Sequence, residues 1–129
     1  MKLSILAFGL AGLMATPAYA FVTQDGTARS TSVQDYEDGI NSATTRVAMA
    51  ALLDATIDGF EWTNSALESE HRESVFCMPV NLALTQGEEV AIVNNFIHQK
   101  KPNPTLPLGF IALMAMQMTF PCPSSGISQ

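Results

Sequence analysis

The side chains in this sequence that could do chemistry are few. Two cysteines, Cys77 and Cys122, two histidines, His71 and His98, and one run of carboxylates, Asp54, Asp58 and Glu61, are the candidates for redox, base or metal work. Each histidine lies in a polar segment without a nucleophile or carboxylate at motif spacing, so both read as surface residues. The three carboxylates share one face at 100° per residue, but a di-metal bundle site needs histidines and a second acidic helix. No Gly-x-Ser-x-Gly, His-Glu-x-x-His, Cys-x-x-Cys, phosphate loop or calcium loop occurs. The sequence therefore predicts no enzyme, no cofactor and no metal, and a protein that acts by binding.

The compartment decides what the cysteines do. Residues 1–20 read as a signal peptide: Lys2 is the positive end, Leu3 to Met14 the apolar run, and Ala18-Tyr19-Ala20 a small-x-small cleavage site after Pro17. Cleavage after Ala20 sends the chain to an oxidising compartment, the periplasm, where two cysteines favour pairing over free thiols. Two buried thiols or an intermolecular bridge are the alternatives. An intramolecular bond would close a loop of about 45 residues, worth roughly 4 kcal/mol on a chain-entropy argument.

Of 129 residues, those left after such a leader suit one domain with a modest core. Losing Lys2 leaves five basic against twelve acidic residues, a net charge of −7. That charge disfavours nucleic acid and anionic membranes and would steer a basic protein partner, although solubility alone also explains it.

The elements that must position these groups are helical. Residues 21–32 are polar and predict a flexible arm. Ser32 can cap a short helix from Val33 to about Gly39, with Asp35 in its first turn. From Ala43 to about Glu68 good helix formers predict the longest helix. Its Met49, Leu53, Ile57, Phe60 and Leu67 form a core face, and Asp54, Asp58, Glu61, Ser65 and Glu68 a solvated or partner-facing stripe. Small residues at Ala48, Gly59, Thr63 and Ala66, with Leu52, predict a third strip covered by the bundle itself or by a second subunit. Asn64, on the apolar face, predicts a buried amide serving a neighbouring loop.

Glu70 to Ser74 form a charged turn, and Val80 to Leu84 an extended lead-in. Thr85-Gln86-Gly87-Glu88 fits a capping box for a third helix with Val90, Val93, Phe96 and Ile97 inward, Asn94, Asn95 and His98 outward, and Lys100 and Lys101 at its end. Lys101 to Thr105 is a proline-stiffened loop. Pro107 opens a last helix to about Phe120, apolar nearly all round and therefore expected to be buried on all sides, with its methionines filling the core. Residues 33–123 form the domain, and 124–129 a loose tail. The fold class is all-α, a bundle of about four helices closed by one disulfide.

Several motifs occur in a particular order. Asp58-Gly59-Phe60-Glu61-Trp62-Thr63-Asn64-Ser65-Ala66-Leu67, Val75-Phe76-Cys77-Met78-Pro79, Leu84-Thr85-Gln86-Gly87-Glu88, Pro107-Leu108-Gly109 and Thr119-Phe120-Pro121-Cys122 follow one another between Thr45 and Pro123. In this the chain resembles the type VI secretion amidase immunity proteins of the Rap/Tai type. Phe-Cys-x-Pro and Thr-Phe-Pro-Cys are the most specific parts. The resemblance implies a periplasmic all-helical protein, often a homodimer, that binds and blocks a cell-wall amidase effector from neighbouring cells. It also implies a Cys77–Cys122 bond. Members often carry a second cysteine pair near the start, which this chain lacks between Val33 and Arg46; the departure predicts a first helix less firmly tied.

An inhibitor of this kind needs a complementary surface, and one stiffened in advance loses less entropy on binding. Loop stiffness and negative charge point to Lys101, Asn103 and Thr105 and to Asp58, Glu61 and Glu68 as contact residues. Other readings are a periplasmic acid-stress chaperone and an orphan binding protein of the same fold.

Overall fold

The structure, a computed structural model, describes residues 30–123. The expected signal peptide, most of the arm and the tail lie outside them. Four helices follow in order: α1 (Val33–Asn41), α2 (Arg46–Ser69), α3 (Gln86–Lys100) and α4 (Leu108–Thr119). No strand occurs among the described residues, only an isolated bridge between Ser32 and Pro107. The molecule is an all-α bundle closed by a Cys77–Cys122 disulfide, with S–S 2.05 Å.

α2, about 36 Å long at 1.5 Å per residue, is the axis against which α1, α3 and α4 all pack. Met49, Leu53 and Ile57 are buried at one- to two-turn spacing, while Phe60 and Leu67 farther along are half-buried. Against them lie Val33 and Tyr36 of α1, Val93, Phe96 and Ile97 of α3, and Ile111, Ala112, Ala115 and Met116 of α4.

α2 begins at Arg46 rather than near Ala43, because the chain must first turn a corner. Thr45 Oγ1 donates to the Gly39 carbonyl at 2.9 Å and Arg46 Nε to the Ile40 carbonyl at 3.0 Å, binding the turn to α1's last carbonyls. Gly39 is buried there, and a Cβ would lie 2.6 Å from Met49 Cε; its absence lets the two helices meet.

The other end of α2 closes through the backbone. His71, at φ 56°, takes the left-handed position while His71 N–H donates to Glu68 O at 3.0 Å and Arg72 N–H to Leu67 O at 2.8 Å. This is a Schellman closure, with histidine where glycine is commoner. Its imidazole is exposed, as the sequence predicts.

Both capping boxes form. Ser32 and Asp35 bond reciprocally at α1, and Thr85 and Glu88 at α3. Thr85's hydrogen bonds hold the Glu88 carboxyl below the usual carboxylate range.

Asn64 has the predicted role: its Nδ2 donates to the Phe76 carbonyl at 2.9 Å and its Oδ1 accepts the Val75 amide at 2.7 Å. From α4, Gln117 Nε2 donates to the Val75 carbonyl at 3.0 Å. Together with the disulfide and the Cys77 N–H to Phe120 O bond of 2.9 Å, this fixes the segment between α2 and α3 from two sides.

Several expectations are corrected. α4 is not buried all round: Phe110, Met114 and Met118, at i, i+4 and i+8, are exposed, because α1, α2 and α3 cover only the opposite side. Met116 fills the core, but two of α4's other methionines do not. Residues 80–84 are not a simple extended lead-in, since Leu82 N–H donates to Pro79 O at 2.9 Å and forms a turn that leaves Val80 fully exposed. Asn94 does not face outward; it is half-buried and accepts from the Tyr36 hydroxyl at 3.0 Å. That bond also ties down α1 without a second cysteine pair, as do the Val33 N–H to Leu106 O and Gln34 N–H to Pro104 O bonds, both 3.0 Å. Even the end of the arm is held, by Leu108 N–H donating to Thr31 O at 2.8 Å.

Pro107 is the residue before α4 rather than the first within it, and its carbonyl accepts from Ile111 N–H. Among the described residues, no helix is long and apolar enough to cross a membrane.

Candidate partner-binding surface

The acidic face of α2 is built by helical periodicity. Asp54, Asp58, Glu61 and Glu68 share one face, with Asp54 and Glu61 half-buried and Asp58 and Glu68 exposed. Against this face α3 presents a fourth neighbour of the first three, Glu89, which is only 3% exposed. Among the described residues Glu89 Oε2 is the buried side-chain oxygen that has no hydrogen-bond partner.

The capping box accounts for this placement. It uses Glu88 at the third helical position, and so fixes the phase of α3. The next residue then falls on the inward face, one and two turns before the buried Val93, Phe96 and Ile97. Burial pushes the Glu89 carboxyl up to about 7, and the charges of Asp54, Asp58 and Glu61 add to the effect. Burial, followed by the charge of Asp58, also raises Glu61. Near neutral pH Glu89 is therefore still partly protonated, where isolated carboxylates would be ionised, and in its protonated form it donates to Asp54. Among the described residues, none of the four carboxylates has a salt bridge; the ion pair found there joins Arg72 to Glu70 at 3.4 Å, on the exposed turn.

A cleft of about 310 Å³ adjoins the cluster. Glu61, Asn64 and Glu68 form its α2 wall, and Met78, Val80 and Leu82 part of the other. Its position follows from the Asn64 and Cys77 links, which pin residues 75–77 against the helices and leave 78–82 to arch beside α2. Glu68 is partly occupied, since its Oε1 accepts from the Ser74 hydroxyl at 3.0 Å. The arrangement combines carboxylates with apolar side chains in an open groove, suited to holding an amphipathic cation.

The predicted contact residues fall into two places. Asp58, Glu61 and Glu68 lie on the acidic face. Lys101, Asn103 and Thr105 lie in the α3–α4 loop, where Lys101 ends α3 in a left-handed conformation and donates to Ile97 O at 2.8 Å. Asn103 Oδ1 accepts from Thr105 N–H at 3.0 Å and from its hydroxyl at 2.9 Å. The loop is stiff, and its backbone is bonded to the start of α1, not to α2. No hydrogen bond joins the two sets among the described residues.

Glu89 carries no motif and is missed by a reading of the acidic stripe alone. Its one signal is position, four residues before Val93 and seven before Phe96, on a face otherwise read as apolar. Among the described residues, no group of three or more His, Cys, Asp and Glu side chains is placed to hold a metal ion.

No family model, no curated protein and no solved structure matches the chain.

Proposed function

We propose that this chain is an exported, periplasmic inhibitor that binds a cell-wall peptidoglycan amidase effector of type VI secretion, in the manner of the immunity proteins it resembles. The observation that carries the reading is the joining of its two most specific motifs. Phe76-Cys77-Met78-Pro79 and Thr119-Phe120-Pro121-Cys122 are linked by the disulfide and by the Cys77–Phe120 backbone bond. Next to that junction lies the open acidic cleft. A rigid groove of this kind inhibits by occlusion and needs no reaction of its own.

The homodimer belongs to the same proposal. Phe110, Met114 and Met118 of α4 are exposed, and so are Leu52, Gly59 and Thr63 of α2. The α2 strip borders the α2–α4 seam, where a Cβ on Gly109 would lie 3.8 Å from Thr56 Cγ2, and Phe110 is the next residue on α4. A second copy laid across this seam would cover the small-residue strip that the bundle itself leaves open.

The deciding experiment is binding and inhibition. Purified mature chain is titrated into type VI cell-wall amidases in a calorimeter, and peptidoglycan hydrolysis is followed in parallel. Stoichiometric binding with loss of hydrolysis supports the reading; no binding to any of a panel of such amidases rejects it.

Exposed apolar side chains, among them Trp62 at 77%, favour an acid-stress chaperone as the second reading. Such a chaperone would dissociate and suppress aggregation of client proteins near pH 2 to 3. Protonation of Glu89 works in the opposite sense, since it removes charge repulsion between α2 and α3.

A further inference from the structure

We propose that Met114 and Met118 on α4 form an oxidation site, where a hypohalous acid converts both thioethers to sulfoxides and turns the exposed apolar stripe of this helix polar. The consequence for self-association rests on the dimer proposed above; the site itself does not.

Three observations carry the assignment. First, exposure separates the methionines: Met114 is 39% and Met118 43% exposed, whereas Met116 and Met49 stand at 0% and 3% and Met78 is half-buried. An oxidant in solution therefore reaches the surface pair, while close packing seals the core thioethers. Second, the pair lies one helical turn apart, with Phe110 one turn before Met114, so both sulfurs belong to one face. α4 carries no charged side chain, and its Gln117 and Thr119 are engaged, donating to Val75 O at 3.0 Å and to Ala115 O at 2.9 Å. The character of the stripe thus depends on the two thioethers. Third, both cysteines are joined in the disulfide, so no thiol is left to react first.

With hypochlorous acid, the sulfur lone pair takes chlorine as the Cl–O bond breaks and hydroxide leaves. Water then adds to sulfur as chloride leaves, and of the two protons lost one neutralises the hydroxide. Sulfur gives up an electron pair, and chlorine is reduced to chloride. The product carries a polar S=O group, and packing it against an apolar surface leaves its oxygen without a hydrogen-bond partner. A second copy seated on the stripe would shield both sulfurs, so oxidation proceeds through the free subunit and holds it free.

The test treats the mature chain with limiting hypochlorite and maps the added oxygen by peptide mass spectrometry. Expected are one oxygen each at Met114 and Met118 before Met49 or Met116 gains any, an unchanged circular-dichroism spectrum, and earlier elution from a hydrophobic-interaction column. Methionine sulfoxide reductases acting on both epimers should restore the original retention. The dissociation constant of the dimer should rise at least about tenfold on oxidation. Met114→Leu combined with Met118→Leu keeps the stripe apolar and leaves nothing on it to oxidise, so its elution and association should survive the same treatment. Oxidation of Met49 or Met116 in step with the surface pair overturns the proposal, as does unchanged retention of the oxidised chain or an equal change in the leucine variant. Because mapping and retention need neither a second copy nor an amidase, the oxidation site, the dimer and amidase inhibition succeed or fail independently.

Discussion

The Asn64 side chain grips the backbone at Val75, accepting its amide at 2.7 Å while donating to the next residue's carbonyl at 2.9 Å. One amide thus satisfies both a donor and an acceptor of a segment without regular hydrogen bonding of its own, and does so from the C-terminal part of α2.

Asn64→Ala should therefore destabilise the fold by about 1–3 kcal/mol, the cost of leaving part-buried backbone groups unpaired. Asn64→Asp keeps the acceptor for Val75 but turns a carboxylate oxygen, in place of the amide donor, toward the Phe76 carbonyl. Its loss should exceed that of alanine at pH 7 and shrink as the pH falls below about 4. Urea unfolding of the three proteins at both pH values checks this; equal midpoints for wild type and Asn64→Ala would refute it.

Asn64 is also a measure of what the sequence disclosed. An amide on an apolar helical face announces a buried partner, and the capping residues Ser32 and Thr85 announce helix starts, because each signal is local chemistry. The acidic stripe on α2 was readable in the same way, from periodicity. Glu89 was not, since its burial depends on how α3 packs against α2, and one carboxylate among apolar neighbours leaves the helical pattern intact. The exposed edge of α4 was hidden for a related reason. Composition makes that helix apolar on every side, and only the assembled bundle reveals which side lacks a neighbour.

Glu89 sets a pH dependence whose direction follows from its raised value. Its carboxyl titrates near 7 in the folded chain and near the ordinary 4.5 when unfolded, so the folded state binds the extra proton between these values. Stability should be greatest from this group below about pH 4.5 and fall as the pH rises through 7, by on the order of 3 kcal/mol. Glu61, raised by burial and by Asp58, acts in the same direction. Glu89→Gln keeps the uncharged shape, so its denaturation midpoint should vary less from pH 5 to 8 and exceed wild type at pH 8. Parallel profiles for the two proteins would contradict this assignment.

His71 offers a gain in stability. Its φ of 56° places a side chain in the left-handed region, which glycine occupies at lower cost. Because the imidazole is exposed and its backbone supplies the helix closure, His71→Gly should stabilise the fold by roughly 0.5–1 kcal/mol, less the entropy glycine adds to the unfolded chain. Thermal unfolding would show a rise of a few degrees, and a clear fall would mean that the ring makes a contribution of its own.

The Cys77–Cys122 bond spans 45 residues and encloses both α3 and α4. Replacing both cysteines with alanine should cost about 2–4 kcal/mol, chiefly by freeing the unfolded chain. In a domain of this size that corresponds to a Tm lower by roughly 10–30 °C. The helical content of the folded variant should survive, since Asn64, Gln117 and the Cys77–Phe120 backbone bond still hold the junction. Circular dichroism through a thermal ramp separates the two outcomes.

Self-association can be tested at Met114, the middle residue of α4's exposed stripe. Met114→Glu places a charge on a face that a second copy would have to dehydrate, while the exposed side chain leaves the core intact. Sedimentation equilibrium should give a dimer for wild type and a monomer for the variant, with the dissociation constant raised at least about tenfold, or 1.4 kcal/mol. Glu at Val80 is the counterpart, because Val80 is fully exposed and belongs to the cleft rather than to the α2–α4 seam. Val80→Glu should leave the dimer unchanged. If both variants behave like wild type and remain dimeric, the subunits meet elsewhere; if wild type is monomeric at high concentration, the exposed stripe does not join two copies.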